Sequence, residues 1–155
     1  MALVCRCLLK QSLGMAGYSG TPLVKKLGIK PGFNIAFVNS PEGFCDTLDL
    51  PSGVTINPRS RCPLDLVHLF VKSEQELQVR FSQCAKRLSP SGMIWVSWPK
   101  KGSGVVTGIS ENIVRAIGLK AGLVDVKICA IDDVWSGLKF VFRLKDRERL
   151  KSREK

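Results

Sequence analysis

The chain has 155 residues, a hydrophobic fraction of 45% and a charged fraction of 24%, values that fit one globular domain and exclude a disordered or low-complexity protein. No apolar run approaches the roughly 20 residues needed to cross a bilayer as a helix. The formal charge of +11 is uneven: Arg6 and Lys10 contribute +2, the tail from Arg143 to Lys155 contributes +4, and +5 is left for the residues between. That remainder is compatible with a solvated basic surface and with attraction to nucleic acid or another polyanion.

The opening Met1-Ala-Leu-Val-Cys5 resembles the start of a secretory h-region, but Arg6 interrupts it and no small-residue cleavage site follows. Residues 1–14 are therefore read as a disordered extension or upstream start, with the domain over residues 15–143 and a charged tail over 144–155. Six cysteines, Cys5, Cys7, Cys45, Cys62, Cys84 and Cys129, show no repeating spacing, and most lie in or beside apolar segments. They read as reduced packing residues of a cytoplasmic protein rather than disulfide or zinc ligands.

Thr21-Pro22 reads as a helix cap followed by proline at the first helical position, opening a short helix over Leu23 to Leu27 that Gly28 stops. Phe33 to Val38 is the first strand. Ser40-Pro41 repeats the cap-proline signal and predicts a short helix through Cys45 and Leu48, before a brief second strand at Val54 to Ile56. Leu66 to Val71, apolar except for His68, is a central strand covered on both faces.

Ser73-Glu-Gln-Glu76 is a capping box, and Leu77, Phe81, Cys84, Ala85 and Leu88 supply the buried stripe of the helix behind it. Ser89-Pro-Ser-Gly92 reads as a turn into the strand Met93 to Trp98. A further helix starts at Ser110, buries Ile113, Val114, Ile117 and Leu119, and stops near Gly122. Val124 to Ile131 and Leu138 to Phe142 are too close for a parallel crossover, so they pair as an antiparallel hairpin. The alternation predicts a single Rossmann-like, three-layer α/β domain. Its mostly parallel sheet of about six strands is ordered second, first, third, fourth, sixth, fifth.

Such a sheet presents ligands beyond the carboxyl ends of its parallel strands, nearest the gap between the first and third. Candidates there are Asn39, Ser40, Glu42 and Gly43 after the first strand, Lys72 and Ser73 after the third, and Trp98 with Lys100, Lys101, Gly102, Ser103 and Gly104 after the fourth. Asp132, Asp133 and Trp135 join them from the hairpin. The lysines and glycines suit an anion, and the tryptophans suit a planar ring. The bland alternatives are solvated lysines, a core-lidding Trp98 and a turn role for the two aspartates. His68, the only histidine, reads as a hydrogen-bonded core residue. Neither a nucleophile elbow nor a phosphate-binding P-loop is present, and Gly17 to Gly20 is a segment that can fold over the crevice.

The helix ending Leu88-Ser-Pro-Ser-Gly92 before a central strand, with a closing hairpin, is similar to the second half of class I methyltransferases over about Gly32 to Arg143. That resemblance implies S-adenosylmethionine as cofactor. The family's Gly-rich loop is represented by Asn39-Ser-Pro-Glu-Gly43, with one glycine, and its ribose-binding carboxylate by Asn57-Pro58; Glu42 or Asn57 would have to substitute.

A second resemblance rests on Ala16-Gly-Tyr-Ser-Gly-Thr-Pro-Leu23, Lys25-Lys-Leu-Gly-Ile-Lys-Pro-Gly32, Trp95-Val-Ser-Trp-Pro-Lys-Lys101, and Val124 to Asp132 with Trp135-Ser-Gly-Leu138. These segments resemble a family of small bacterial proteins known only as a domain of unknown function. The resemblance implies a bacterial cytosolic domain and a fold, with no activity attached. The expectation is a non-catalytic binding domain for an anionic ligand or a protein partner. The alternatives are a degenerate S-adenosylmethionine-dependent methyltransferase and a basic, nucleic-acid-associated protein.

Overall fold

The computed structural model describes residues 21–57 and 61–153. The calls on residues 1–14, on Cys5 and Cys7, on Gly17 to Gly20 and on Pro58 lie outside the described residues. In chain order the elements are α1 (Leu23–Leu27), β1 (Asn34–Val38), a 3-10 turn (Cys45–Thr47), β2 (Thr55–Ile56), β3 (Leu64–Phe70), α2 (Glu74–Arg87) and β4 (Leu88–Pro99). They continue with α3 (Glu111–Lys120), β5 (Leu123–Ala130), β6 (Trp135–Phe142) and α4 (Leu144–Arg153).

The six strands form one sheet in the order β2-β1-β3-β4-β6-β5, the order read from the sequence. β1 runs parallel to β2 and β3, β3 runs parallel to β4, and β6 pairs antiparallel with both β4 and β5. The strand alternation sends side chains to two cores. On one face Val67, Leu69, Ile94, Val96, Leu138 and Phe140 meet Leu77, Phe81 and Cys84 of α2 and Val114 of α3. On the other, Ile35, Phe37, Leu66, Phe70, Trp95 and Trp135 lie under Val24 and Leu27 of α1 and under Ile29, Phe44 and Leu48. The buried Trp95 indole donates to the Leu27 carbonyl at 2.9 Å, tying the short α1 to the sheet.

Four local expectations are corrected, and the charged tail has a local structure of its own. Pro22, not Thr21, is the N-cap of α1, at φ −57° and ψ 145° with no side-chain capping bond. The helix expected after Ser40-Pro41 is only the 3-10 turn. Asn39 at φ +57° and Gly43 at φ +77° are left-handed and bracket too few residues for a helix to propagate. Ser89 to Gly92 does not close a turn: Leu88 already pairs with Leu64 and Met93 with Leu66, so the segment bulges within one long strand. Leu119, expected in the buried stripe, is 40% exposed, and the small Gly118 takes the inward position instead. The charged terminus is helical: α4 follows β6 directly, the Arg147 guanidinium donates to the Phe142 carbonyl at 3.1 Å, and no residue over 144–152 is buried.

Candidate functional site

Loop geometry at the carboxyl ends of β1 and β3 is set by one carboxylate. Ser73 caps α2 by accepting from the Glu76 backbone N–H at 3.2 Å. In a reciprocal box Glu76 would turn back to Ser73; here its carboxylate reaches outward. It accepts from the Asn39 side-chain amide at 2.6 Å and from the Lys72 backbone N–H at 3.5 Å. The β1 loop is thereby strapped to the start of α2, across the point where the strand order reverses.

A cleft of about 370 Å³ opens there, lined by Asn39, Ser40, Pro41, Phe70, Lys72, Glu76 and Trp135. Its size falls in the range of small-ligand sites. Phe70 and Trp135 form an aromatic wall, edge to face at 5.0 Å. Trp135 is positioned by Asp132, whose carboxylate accepts from the Val134 and Trp135 backbone N–H groups, each at 2.8 Å. Asp132 thus has the turn role that its place after a strand suggests, and Asp133 beside it is exposed.

Behind Phe70 lies His68, with no solvent exposure, its Nε2 2.6 Å from the Ser97 hydroxyl. Its ring stacks on Phe70 at 4.2 Å and meets the edge of Phe44 at 5.3 Å. Loss of solvation pushes its pKa down to about 3, so the imidazole is neutral at physiological pH. It is the core histidine expected from the sequence, shut off from the cleft by an aromatic ring.

The other sequence candidates are distributed unevenly. Asn39, Ser40, Lys72 and Trp135 line the cleft; Glu42 and Gly43 share its loop but are exposed and stand outside the lining. Trp98 is 6% exposed and packs with Ile109 and Leu77 in the opposite core. Lys100 to Gly104 make their own tight turn, Ser103 N–H donating to the Lys100 carbonyl at 3.1 Å, while the Lys100 N–H donates to Val134 at 2.7 Å. That turn sits against the hairpin rather than in the cleft. Phe70 and Glu76 were not among the sequence candidates. The signal for Glu76 was present, an acid one turn into the helix after a central strand, but it was absorbed by the capping motif.

The fold's implied cofactor can be tested against these residues. Held in the usual way of this fold, S-adenosylmethionine needs bare backbone after the first strand and a carboxylate after the second. Here Asn39, Ser40 and Pro41, none of them a glycine, line that edge. Asn57 spends its carbonyl oxygen on the Phe37 N–H at 3.1 Å. The residues present do not fit S-adenosylmethionine in the usual way. Among the described residues no group of three His, Cys, Asp or Glu side chains is placed to hold a metal ion, and no helix is long and apolar enough to cross a membrane.

The chain matches no protein-family model and no curated protein sequence. Solved structures do match. A SAM-dependent methyltransferase from Aquifex aeolicus superposes with a TM-score of 0.56 at 14% identity, over 76% of this chain and 86% of that one. Magnesium protoporphyrin IX methyltransferase from Synechocystis, solved with bound SAM, gives 0.53 at 11% identity over 90% and 81%. Aeropyrum pernix fibrillarin, in complex with S-adenosyl-L-methionine, gives 0.51 at 12% over 86% and 74%. With the sheet order and closing hairpin described above, these likenesses show that the chain has a methyltransferase-like Rossmann fold.

Proposed function

We propose that this protein is a non-catalytic binding domain on a methyltransferase-like scaffold, taking a small planar, polar ligand in the cleft between β1 and β3. The observation that carries this reading is the strap from Asn39 to Glu76 beside the Phe70–Trp135 wall. It places an amide, a hydroxyl, an ammonium and a carboxylate around an aromatic surface. Ser40 and Pro41, rather than glycines, line the cleft where the methyltransferase cofactor would need bare backbone, which supports binding over methyl transfer. The resemblance to the small bacterial family, together with free cysteines at 45, 62, 84 and 129, supports a bacterial, cytoplasmic setting.

The test is a thermal-shift screen of the full chain against nucleosides, nucleotides and aromatic amino-acid derivatives, followed by calorimetric titration of any stabilising compound. Asn39→Ala and Lys72→Ala should each weaken the hit roughly tenfold, about 1.4 kcal/mol. Binding that survives both changes would remove the cleft from consideration.

The structural neighbours favour one second reading, a degenerate S-adenosylmethionine-dependent methyltransferase. Titration with S-adenosylmethionine and S-adenosylhomocysteine separates the two. Saturable micromolar binding lost in Asn39→Ala would support the enzyme, and absence of heat with both compounds would count against it.

A further inference from the structure

Lysines from three parts of the chain converge on the end of α1, on the sheet face away from α2 and α3. Lys127 of β5 and Lys139 of β6 stand directly opposite each other in the antiparallel ladder, an arrangement in which like charges repel. The Lys127 ammonium donates to the Lys26 carbonyl at 3.3 Å. The Lys139 ammonium comes within 4.0 Å of the position a Cβ on Gly28 would take, two residues along the same chain. Lys30 follows on the exposed turn after α1. Burial, and then the charges of Lys127 and Lys30, push the Lys139 pKa down.

Two arginines, Arg115 and Arg149, have carboxylate partners. Arg115 is held between Asp125 at 2.9 Å and Glu111 at 3.1 Å. No ion pair among the described residues includes Lys30, Lys127 or Lys139. Residues 1–20 contain no Asp or Glu, and of all the residues outside the description Glu154 alone has an acidic side chain. Each ammonium offers three donors, and the Lys26 carbonyl that Lys127 reaches is a partial charge at most. A compact oxyanion with several acceptor oxygens is the complement.

We infer that Lys30, Lys127 and Lys139 form an anion site at the end of α1 that takes a phosphate group. The site shares no residue with the β1–β3 cleft and does not depend on the reading given to it. The phosphate has two possible sources, a free phosphorylated small molecule or a nucleic-acid backbone, and the test separates them.

The full chain is melted in pyrophosphate and in chloride at equal ionic strength. In parallel it is titrated into a fluorescent single-stranded oligonucleotide over a series of salt concentrations. The comparison variants are Lys127→Gln with Lys139→Gln, and Lys30→Gln alone, the last on an exposed turn where folding is not at risk. Pyrophosphate should raise the wild-type Tm a few degrees above chloride, and each variant should lose at least half of that rise. The double variant should melt in chloride no lower than wild type, because a repulsive pair is gone. Oligonucleotide binding that falls steeply with salt, and is displaced by pyrophosphate, assigns the phosphate to a backbone. A pyrophosphate response without oligonucleotide binding assigns it to a free ligand. Equal shifts in wild type and variants, or no response in either assay, overturns the proposal.

Discussion

At His68 a side chain capable of proton transfer is made inert by its surroundings. Phe70 covers one face of the ring, Phe44 meets its edge, and the Ser97 hydroxyl is its hydrogen-bond partner, while Nδ1 is buried without one. The folded-state pKa of about 3 lies below the ordinary 6.5, so the unfolded chain binds a proton that the folded chain refuses. The stabilising effect is complete above pH 6.5 and is lost as pH falls from there toward 3, with a limiting slope of about 1.4 kcal/mol per pH unit. Urea unfolding at pH 7, 6, 5 and 4 should show this fall, and His68→Leu should flatten it. Ser97→Ala leaves Nε2 unpaired as well and should cost about 1–3 kcal/mol at pH 7. The burial of His68 was legible in its apolar run. Its partner was not, because a bond between residues 29 apart depends on strand register, which local pattern does not specify.

Among the elements, the starts of α2 and α3 were legible because a serine cap is a local bond, whereas the cap-proline signals at Thr21 and Ser40 misled. Ser73 and Ser110 each accept from the backbone N–H three residues on, at 3.2 and 3.4 Å, and Ser73→Ala should lower stability by about 1 kcal/mol. Longer-range demands defeated the local reading elsewhere. The left-handed Asn39 and Gly43 cancelled the cap-proline signal at Ser40, and pairing on both sides drew Ser89 to Gly92 into β4. Gly118 shows the same tension inside α3. A Cβ there would clash with Cε1 of Phe140, whose buried ring is set edge-on to Phe81 at 5.3 Å. Alanine is the better helix former by about 1 kcal/mol, yet Gly118→Ala should destabilise by about 1–3 kcal/mol through overpacking. Chemical denaturation of Gly118→Ala, Phe140→Leu and the double variant measures this; the double variant should recover part of the loss.

For the molecule as a whole, the short connection between the last two strands was enough to pair them as a hairpin. The order of all six strands came with the resemblance to class I methyltransferases, and that order, which the sheet has, located the cleft. Its lining was harder to read, since Asn39 and Glu76 meet across 37 residues. Trp98 and Trp135 were treated alike, although alternation along β4 sends Trp98 to the face of Ile94 and Val96 while Trp135 belongs to the other core. The sheet also ends in an open strand. Along β5, Val126 is 54% and Ile128 is 50% exposed, and the ladder slips between Asp125 and Lys127. An edge of this length is a template for a neighbouring molecule's strand unless a bulge or a charge interrupts it, and here Val126 supplies the bulge and Lys127 the charge. Only the second safeguard answers to the solvent. Ionic screening shortens to about 8 Å at physiological strength and about 3 Å at 1 M salt. Concentrated stocks of this protein should therefore scatter more light as salt rises, an onset that Lys127→Val would bring to lower salt.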